Sequence, residues 1–284
     1  MKFDTDFWRE LEHLRLLARR LYAPSRVKRL KRIGSGLELA DRRSYTQGDE
    51  LRYIDWKYYA RSEKLNLRLF EDERDLLYLI VLDSSESMSG KFDAAARIAL
   101  ALTDLALNAG DRVVFALAFD ETFKILSESK GAAATQTLAP ILESARTSGK
   151  TLLLRSIGYG IDTIKGVQAV VIISDFFDPD YRSVLSFVQS HSLPQILVAL
   201  HSEIDRNFTS ELKDFRLIDS ETNEKIEISI DESVRRAYEE EFERFRRELQ
   251  EAAQETGTEL VFAESESSFK TPVERLLSLG YFLP

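Results

Sequence analysis

The chain contains no cysteine. That excludes disulfide staples, thiolate metal sites, cysteine nucleophiles and thiol redox switches. Only three histidines are present, His13, His191 and His201, too few for a histidine-rich zinc centre. Glycine (12) and proline (6) are scarce, which excludes collagen-like and low-complexity architectures. Long apolar runs are missing too. The longest clean one, Leu76–Leu82, has seven residues, whereas a membrane helix needs roughly 18–20. The opening MKFDTDFWRE carries Asp4 and Asp6 and has no apolar stretch of a secretory signal, so a cytoplasmic location is the expectation. A basic balance is also absent. The net charge is −9, which argues against a dedicated nucleic-acid binder.

What is present is a chain of 284 residues, 44% hydrophobic and 31% charged, enough for one large domain or two small ones. Its charge is uneven. Residues 1–75 hold 18 Lys/Arg against 14 Asp/Glu, and the remainder 21 against 34, so the two parts differ in the partners they suit. Between Arg19 and Arg32 there are seven basic residues and no acid. The stretch 24–36 reads as a basic linker or an exposed edge, and Arg29 and Arg32 within it are candidates for docking an acidic protein or anionic lipid.

Apolar periodicity gives a helix over 6–22, through Phe7, Leu11, Leu14, Ala18 and Leu21. A turn at Gln47-Gly48-Asp49 and a strand near 65–70 follow. From residue 76 the pattern becomes alternating strands and helices. Strands are expected at 76–83, 112–119, 168–174 and 194–201, with a short antiparallel partner at 122–126. Helices are expected at 91–109, 134–146, 152–165 and 180–191. Strands separated by helices of that length indicate a doubly wound α/β domain with a mostly parallel sheet. Phe215–Asp219 and Lys225–Ile230 read as a β-hairpin. A long helix over 232–256 follows, striped by Val234, Tyr238, Phe242, Phe245, Leu249 and Ala252, then a strand at 259–263 and a helix at 271–280. Segments 1–36 and 37–75 are expected as an appendage, the second packed on a main domain of 76–284.

Chemistry concentrates in DSSESMSG at 83–90. Asp83, Ser85 and Ser87 alternate just past a buried strand, so in an extended loop their oxygens point the same way. A second buried strand ends Ile173-Ser174-Asp175, and Thr151 opens the helix before it. With sheet order 3-2-1-4-5, the strands ending at Asp83 and Asp175 are neighbours. Their connections leave to opposite faces, which opens a ligand crevice between them. Two carboxylates and three hydroxyls there form a hard oxygen set suited to Mg²⁺, or to Mn²⁺ or Ca²⁺, and not to Zn²⁺ or Cu²⁺. An open coordination position would accept an acidic side chain of a partner. Glu86, Lys150 and Phe176 border the set and are candidate partner contacts. A plain N-cap role for Ser87 or Ser89 is the competing reading of the loop.

Asp83-x-Ser85-x-Ser87, Thr151 and Asp175 resemble the metal-ion-dependent adhesion site of von Willebrand factor A-type (vWA) domains. Upstream, Gly34-Ser35-Gly36 with Glu38, Arg43-x-Tyr45-x-x-Gly48-Asp49, Arg52-x-Ile54-Asp55-Trp56, Ala60-Arg61 and Glu71–Arg74 resemble the family called domain of unknown function 58. Asp219-x-Glu221-Thr222 and Val234-Arg235-x-x-Tyr238 in the tail are similar to it as well. The resemblance implies a prokaryotic protein-interaction module that works beside a MoxR-type AAA+ ATPase, in a chaperone-like or maturation role. The sequence departs from the general A-domain pattern at Phe176, where glycine is common, and at Lys150, which places a positive charge near the metal position.

Other motifs are decoys. Ser148-Gly149-Lys150-Thr151 mimics the end of a phosphate-binding loop but has Ser144 where glycine is required and no strand before it. Gly158-x-Gly160 lies inside a helical pattern and lacks the third glycine of a dinucleotide fingerprint. A Mg²⁺-dependent hydrolase is the rival function, weakened because Ser85 stands where a phosphatase would carry its second aspartate. A scaffold with an empty metal site is the third reading.

Overall fold

The computed structural model describes residues 3–22, 33–45, 54–71, 75–120, 122–206, 214–218, 225–229 and 232–284. The chain divides into two compact units, one of residues 1–28 and 77–284, the other of residues 29–76. Arg29 and Arg32, the turn at 47–49 and the hairpin tip at 219–224 lie outside the described residues.

The chain opens with α1 (Thr5–Leu21), which belongs to the large unit, and the small unit contains β1 (Ile33–Ser44), α2 (Trp56–Ser62) and β2 (Asn66–Glu71). β1 and β2 pair antiparallel, with register breaks between Gly34 and Leu39 and between Leu39 and Asp41. The boundary expected at 36–37 therefore falls inside a strand, and part of the expected linker, residues 33–36, belongs to β1. Asp55 caps α2 by accepting from the Tyr58 amide at 3.0 Å. Ile54 beside it is buried, while Trp56 and Tyr59 stand exposed on the helix.

The large unit is built on six strands: β3 (Leu77–Asp83), β4 (Arg112–Phe119), β5 (Thr122–Lys130), β6 (Ala169–Ser174), β7 (Gln195–His201) and β10 (Glu259–Glu264). Their order is β10-β7-β6-β3-β4-β5. Every pair is parallel except β4–β5, so the expected doubly wound sheet is present, with an antiparallel edge. β3, β6 and β7 are buried along their whole length, as strands covered on both faces must be.

Side-chain alternation splits the core. Leu77, Leu79 and Val81 of β3 and Val170 and Ile172 of β6 face a layer of α5 (Leu153–Thr163), α6 (Tyr181–Ser190) and α8 (Glu232–Glu255). On the opposite face lie α3 (Phe92–Asn108), α4 (Ala134–Ser144) and α9 (Lys270–Ser278). The helix α1 packs there against α3 and α9. Of its expected stripe, Phe7, Leu11, Leu14 and Ala18 are buried and Leu21, at the helix end, is half-buried. This face gives the helix a place in the large unit's core that its sequence position, before the appendage, does not suggest. A four-residue helix, α7 (Glu203–Arg206), and the hairpin β8 (Asp214–Ile218) and β9 (Lys225–Ser229) connect β7 to α8.

Candidate functional site

The site lies where β3 and β6 end side by side. Leu82 is in register with Ile173, so Asp83 and the Ser174-Asp175 pair leave the sheet at the same edge. The chain from β3 continues to α3 on one face, and that from β6 continues to α6 on the other. A crevice between diverging connections is the ligand position of a doubly wound sheet.

Asp83 is fully buried. Its Oδ1 accepts from the Ser85 amide at 2.9 Å, and its Oδ2 accepts from Ser174 Oγ at 2.6 Å. Burial first, then the negative charge of Asp175, pushes its pKa up to about 7, and those hydrogen bonds hold it back only in part. Ser85 precedes a single 3-10 turn, Glu86–Met88, and this turn swings Ser87 back over Ser85. The two hydroxyl oxygens stand 3.1 Å apart. The alternation of Asp83, Ser85 and Ser87 thus yields a carboxylate with two adjacent hydroxyls.

The Thr151 loop is tied to this turn by its backbone. Glu86 N donates to Gly149 O at 3.0 Å, and Ser148 N to Ser84 O at 2.9 Å. Asp120 clasps the same loop: its amide donates to Lys150 O at 2.7 Å, and its Oδ1 accepts from Lys150 N at 2.6 Å. At the far end Leu153 N donates to Asp178 Oδ2 at 3.2 Å, which fixes the first turn of α5 to the segment after β6. Thr151 is itself buried. The loop therefore bridges the two strand ends.

Asp175 meets a partner that the sequence reading missed. Lys91 Nζ donates to Asp175 Oδ2 at 2.7 Å and to Asp205 Oδ2 at 3.0 Å. It also lies 5.0 Å from the centroid of the Phe177 ring. The carbonyl of Asp175 accepts from His201 Nε2 at 3.0 Å, so that nitrogen carries the proton, because a carbonyl can only accept. His201 is packed among Phe177, Phe242, Phe245 and Phe262. Burial drives its pKa down to about 4, and the ring stays neutral.

The flanking candidates separate. Glu86 is half-buried and Lys150 exposed, on the two loops joined by the Glu86 amide. Phe176 is fully buried and offers no surface to a partner; its neighbour Phe177 carries the exposed ring. Phe176 has φ +60°, the left-handed region where glycine is at ease. Its amide donates to Ser174 Oγ at 3.0 Å, and its buried side chain offsets the strain of that conformation.

The donors can be tested for a hard divalent ion. On the β3 side they fit in kind: a buried carboxylate and two hydroxyls at hydrogen-bond distance from each other offer oxygen alone. On the β6 side Asp175 is already neutralised by an ammonium. Among the described residues no group of three or more His, Asp or Glu side chains is clustered as a metal site. Any ion here would rest on hydroxyls and few charges.

The family model described as Protein of unknown function DUF58 matches residues 41–248. No curated protein matches the chain. Among solved structures, it is similar to conserved hypothetical protein BatB from Bacteroides thetaiotaomicron, with 13% identity, 73% of this chain and 98% of that chain covered, and a TM-score of 0.45. An aerotolerance-related membrane protein from Bacteroides fragilis NCTC 9343 matches with 17% identity over 70% of this chain and 97% of that one, at TM-score 0.45. The SpRpn10 VWA domain matches with 9% identity over 71% and 95%, at TM-score 0.44. Among the described residues no helix is long and apolar enough to cross a membrane.

Proposed function

We propose that this chain, which belongs to the DUF58 family and has a vWA-like α/β fold, is a protein-interaction module whose crevice takes a partner carboxylate through a divalent cation. One observation supports this most. A fully buried Asp83 stands beside the paired hydroxyls of Ser85 and Ser87 at the sheet's ligand-binding edge. Asp83, Ser85, Ser87 and Thr151 would hold Mg²⁺, with Asp175 beside them. The ion would supply positive charge at the mouth of the crevice, where an acidic side chain can complete its coordination.

Charge balance favours the same reading. The buried cluster contains Asp83, Asp175 and Asp205 against Lys91, with His201 neutral. Three carboxylates against one ammonium leave two negative charges, which a divalent ion cancels, and an incoming carboxylate would then bind through an open coordination position of that ion. Two charges of opposite sign brought together in a dry crevice attract far more strongly than in water. The family resemblance points to a MoxR-type AAA+ ATPase, met in the cytoplasm, as the partner. A hydrolase finds less support, because Ser85 stands where a phosphatase would carry its second aspartate.

The test is a pull-down and calorimetric titration with the cognate ATPase, with Mg²⁺ and with EDTA. Asp83→Ala should abolish Mg²⁺-dependent binding while thermal unfolding shows an intact fold. Equal binding by the variant, or by wild type in EDTA, would place the interface elsewhere.

A further inference from the structure

Lys91 stands where helix chemistry disfavours it. It is the N-cap of α3, a position preferred by Ser, Thr, Asp or Asn, and its side chain makes no capping bond. The helix dipole presents partial positive charge there, so a second positive charge is repelled. Yet the side chain is only 4% exposed. A buried ammonium is costly unless its surroundings neutralise it. Asp175 Oδ2 at 2.7 Å, Asp205 Oδ2 at 3.0 Å and the face of Phe177 do so. Asp205 is itself oriented, its Oδ2 also accepting from the Ser202 amide at 2.8 Å and its carbonyl from Tyr238 Oη at 2.9 Å. A position hostile to a cation has been furnished to keep one beside the second carboxylate of the crevice.

We infer that Lys91 competes with a divalent cation for Asp175, so that the crevice alone holds its ion weakly and a partner carboxylate supplies the missing charge. This rests on the metal reading above. A cation bound at Asp83, Ser85 and Ser87 gains affinity with each anionic ligand, since ligand charge count sets the binding of hard ions. Asp175 can give its charge to that ion only by loosening from Lys91. The ammonium cannot leave the site cheaply, because its exit strands Asp205 as well. An incoming carboxylate brings its own charge and needs no such rearrangement. The device makes metal and partner bind together rather than in sequence.

The experiment is Mg²⁺ titration by calorimetry on the full chain without partner, comparing wild type, Lys91→Met and Lys150→Met. Lys91→Met frees Asp175 and should tighten Mg²⁺ by at least about tenfold. Lys150 is exposed beside Thr151, so it reports the bare through-space effect of removing one positive charge, expected below about threefold because solvent screens it. Mg²⁺ should also raise the midpoint of thermal unfolding more in Lys91→Met than in wild type, by mass action. Lys91→Gln, which keeps a neutral donor for Asp175, serves if the methionine variant folds poorly. Equal Mg²⁺ affinity in wild type and both Lys91 variants, or an equal gain from Lys150→Met, overturns the role of Lys91 alone. No Mg²⁺ binding by any of the proteins at millimolar concentration overturns the metal reading, and this inference with it.

Discussion

Two buried groups at the crevice titrate in opposite senses. His201 in the folded chain takes its proton only near pH 4, against an ordinary value of 6.5. Its folded pKa is depressed, so its contribution is whole above 6.5 and is lost as pH falls toward 4. Asp83 keeps its proton up to about 7, against an ordinary 3.8. Its contribution is whole below 3.8 and is lost as pH rises toward 7. Between pH 4 and 6.5 the two slopes oppose each other in the metal-free protein. Asp83→Asn should therefore make stability rise with pH across that window relative to wild type, and His201→Gln should make it fall. Each change is at most about 3 kcal/mol over the window, by the energy of one pKa unit. Urea unfolding at several pH values measures it, and parallel pH profiles for the three proteins would refute the opposition. At this scale the sequence showed Asp83, Ser85 and Ser87 because a single loop places them. It hid Lys91, whose carboxylates lie 84 and 114 residues away. The only local sign was a lysine at a helix N-cap.

Elements were legible where the physics is local. β3 is a continuous apolar run ending in an acid, β6 is one followed directly by Asp175, and α8 carries an apolar stripe, so their places follow from period and composition. β1 was not legible. Its register breaks interrupt the period of two that marks a strand, and its partner lies some twenty residues further on. α2 is short, and its one signal is Asp55 three residues before Tyr58. In α5 the two glycines that failed as a nucleotide motif have different packing reasons. A Cβ at Gly160 would stand 2.7 Å from the Phe123 ring and 3.2 Å from Leu79, so a side chain there forces the Phe123 ring to shift. A Cβ at Gly158 would meet only Phe187, at an ordinary 3.6 Å. Gly160→Ala should destabilise by about 1–3 kcal/mol through overpacking. Gly158→Ala should stabilise by about 0.5–1 kcal/mol through helix propensity. Denaturant midpoints give both; equal shifts of one sign would mean that α5 packs differently.

At the scale of the whole molecule the chain enters the large unit with α1, leaves for the small unit, and returns with β3. The first pass must therefore be fastened to a core made by residues that come much later. Apolar burial supplies most of that, and one buried charge fixes the register. Asp104, in the fourth turn of α3, has no exposed side-chain surface. Arg15 of α1 reaches it with a two-pronged contact, Nε to Oδ2 and Nη2 to Oδ1, both at 2.7 Å. Thr135 Oγ1 of α4 adds a bond to Oδ1 at 2.9 Å, and Asn108 Nδ2 one to Oδ2 at 3.2 Å. One carboxylate thus joins α1, α3 and α4. Removing the arginine leaves a buried anion with two neutral donors, and such a half-pair costs about 3–5 kcal/mol. Arg15→Met should lose stability on that scale in urea unfolding, far more than breaking the exposed Arg9–Asp6 pair on the same helix, worth about 0.5 kcal/mol or less. Adding Asp104→Leu to Arg15→Met should recover most of the loss, since an apolar pair of similar volume replaces a charge that no longer has a partner. A single Arg15→Met loss below about 1 kcal/mol would mean that α1 is held by its apolar stripe alone, and that Asp104 is satisfied by α3 and α4 without it.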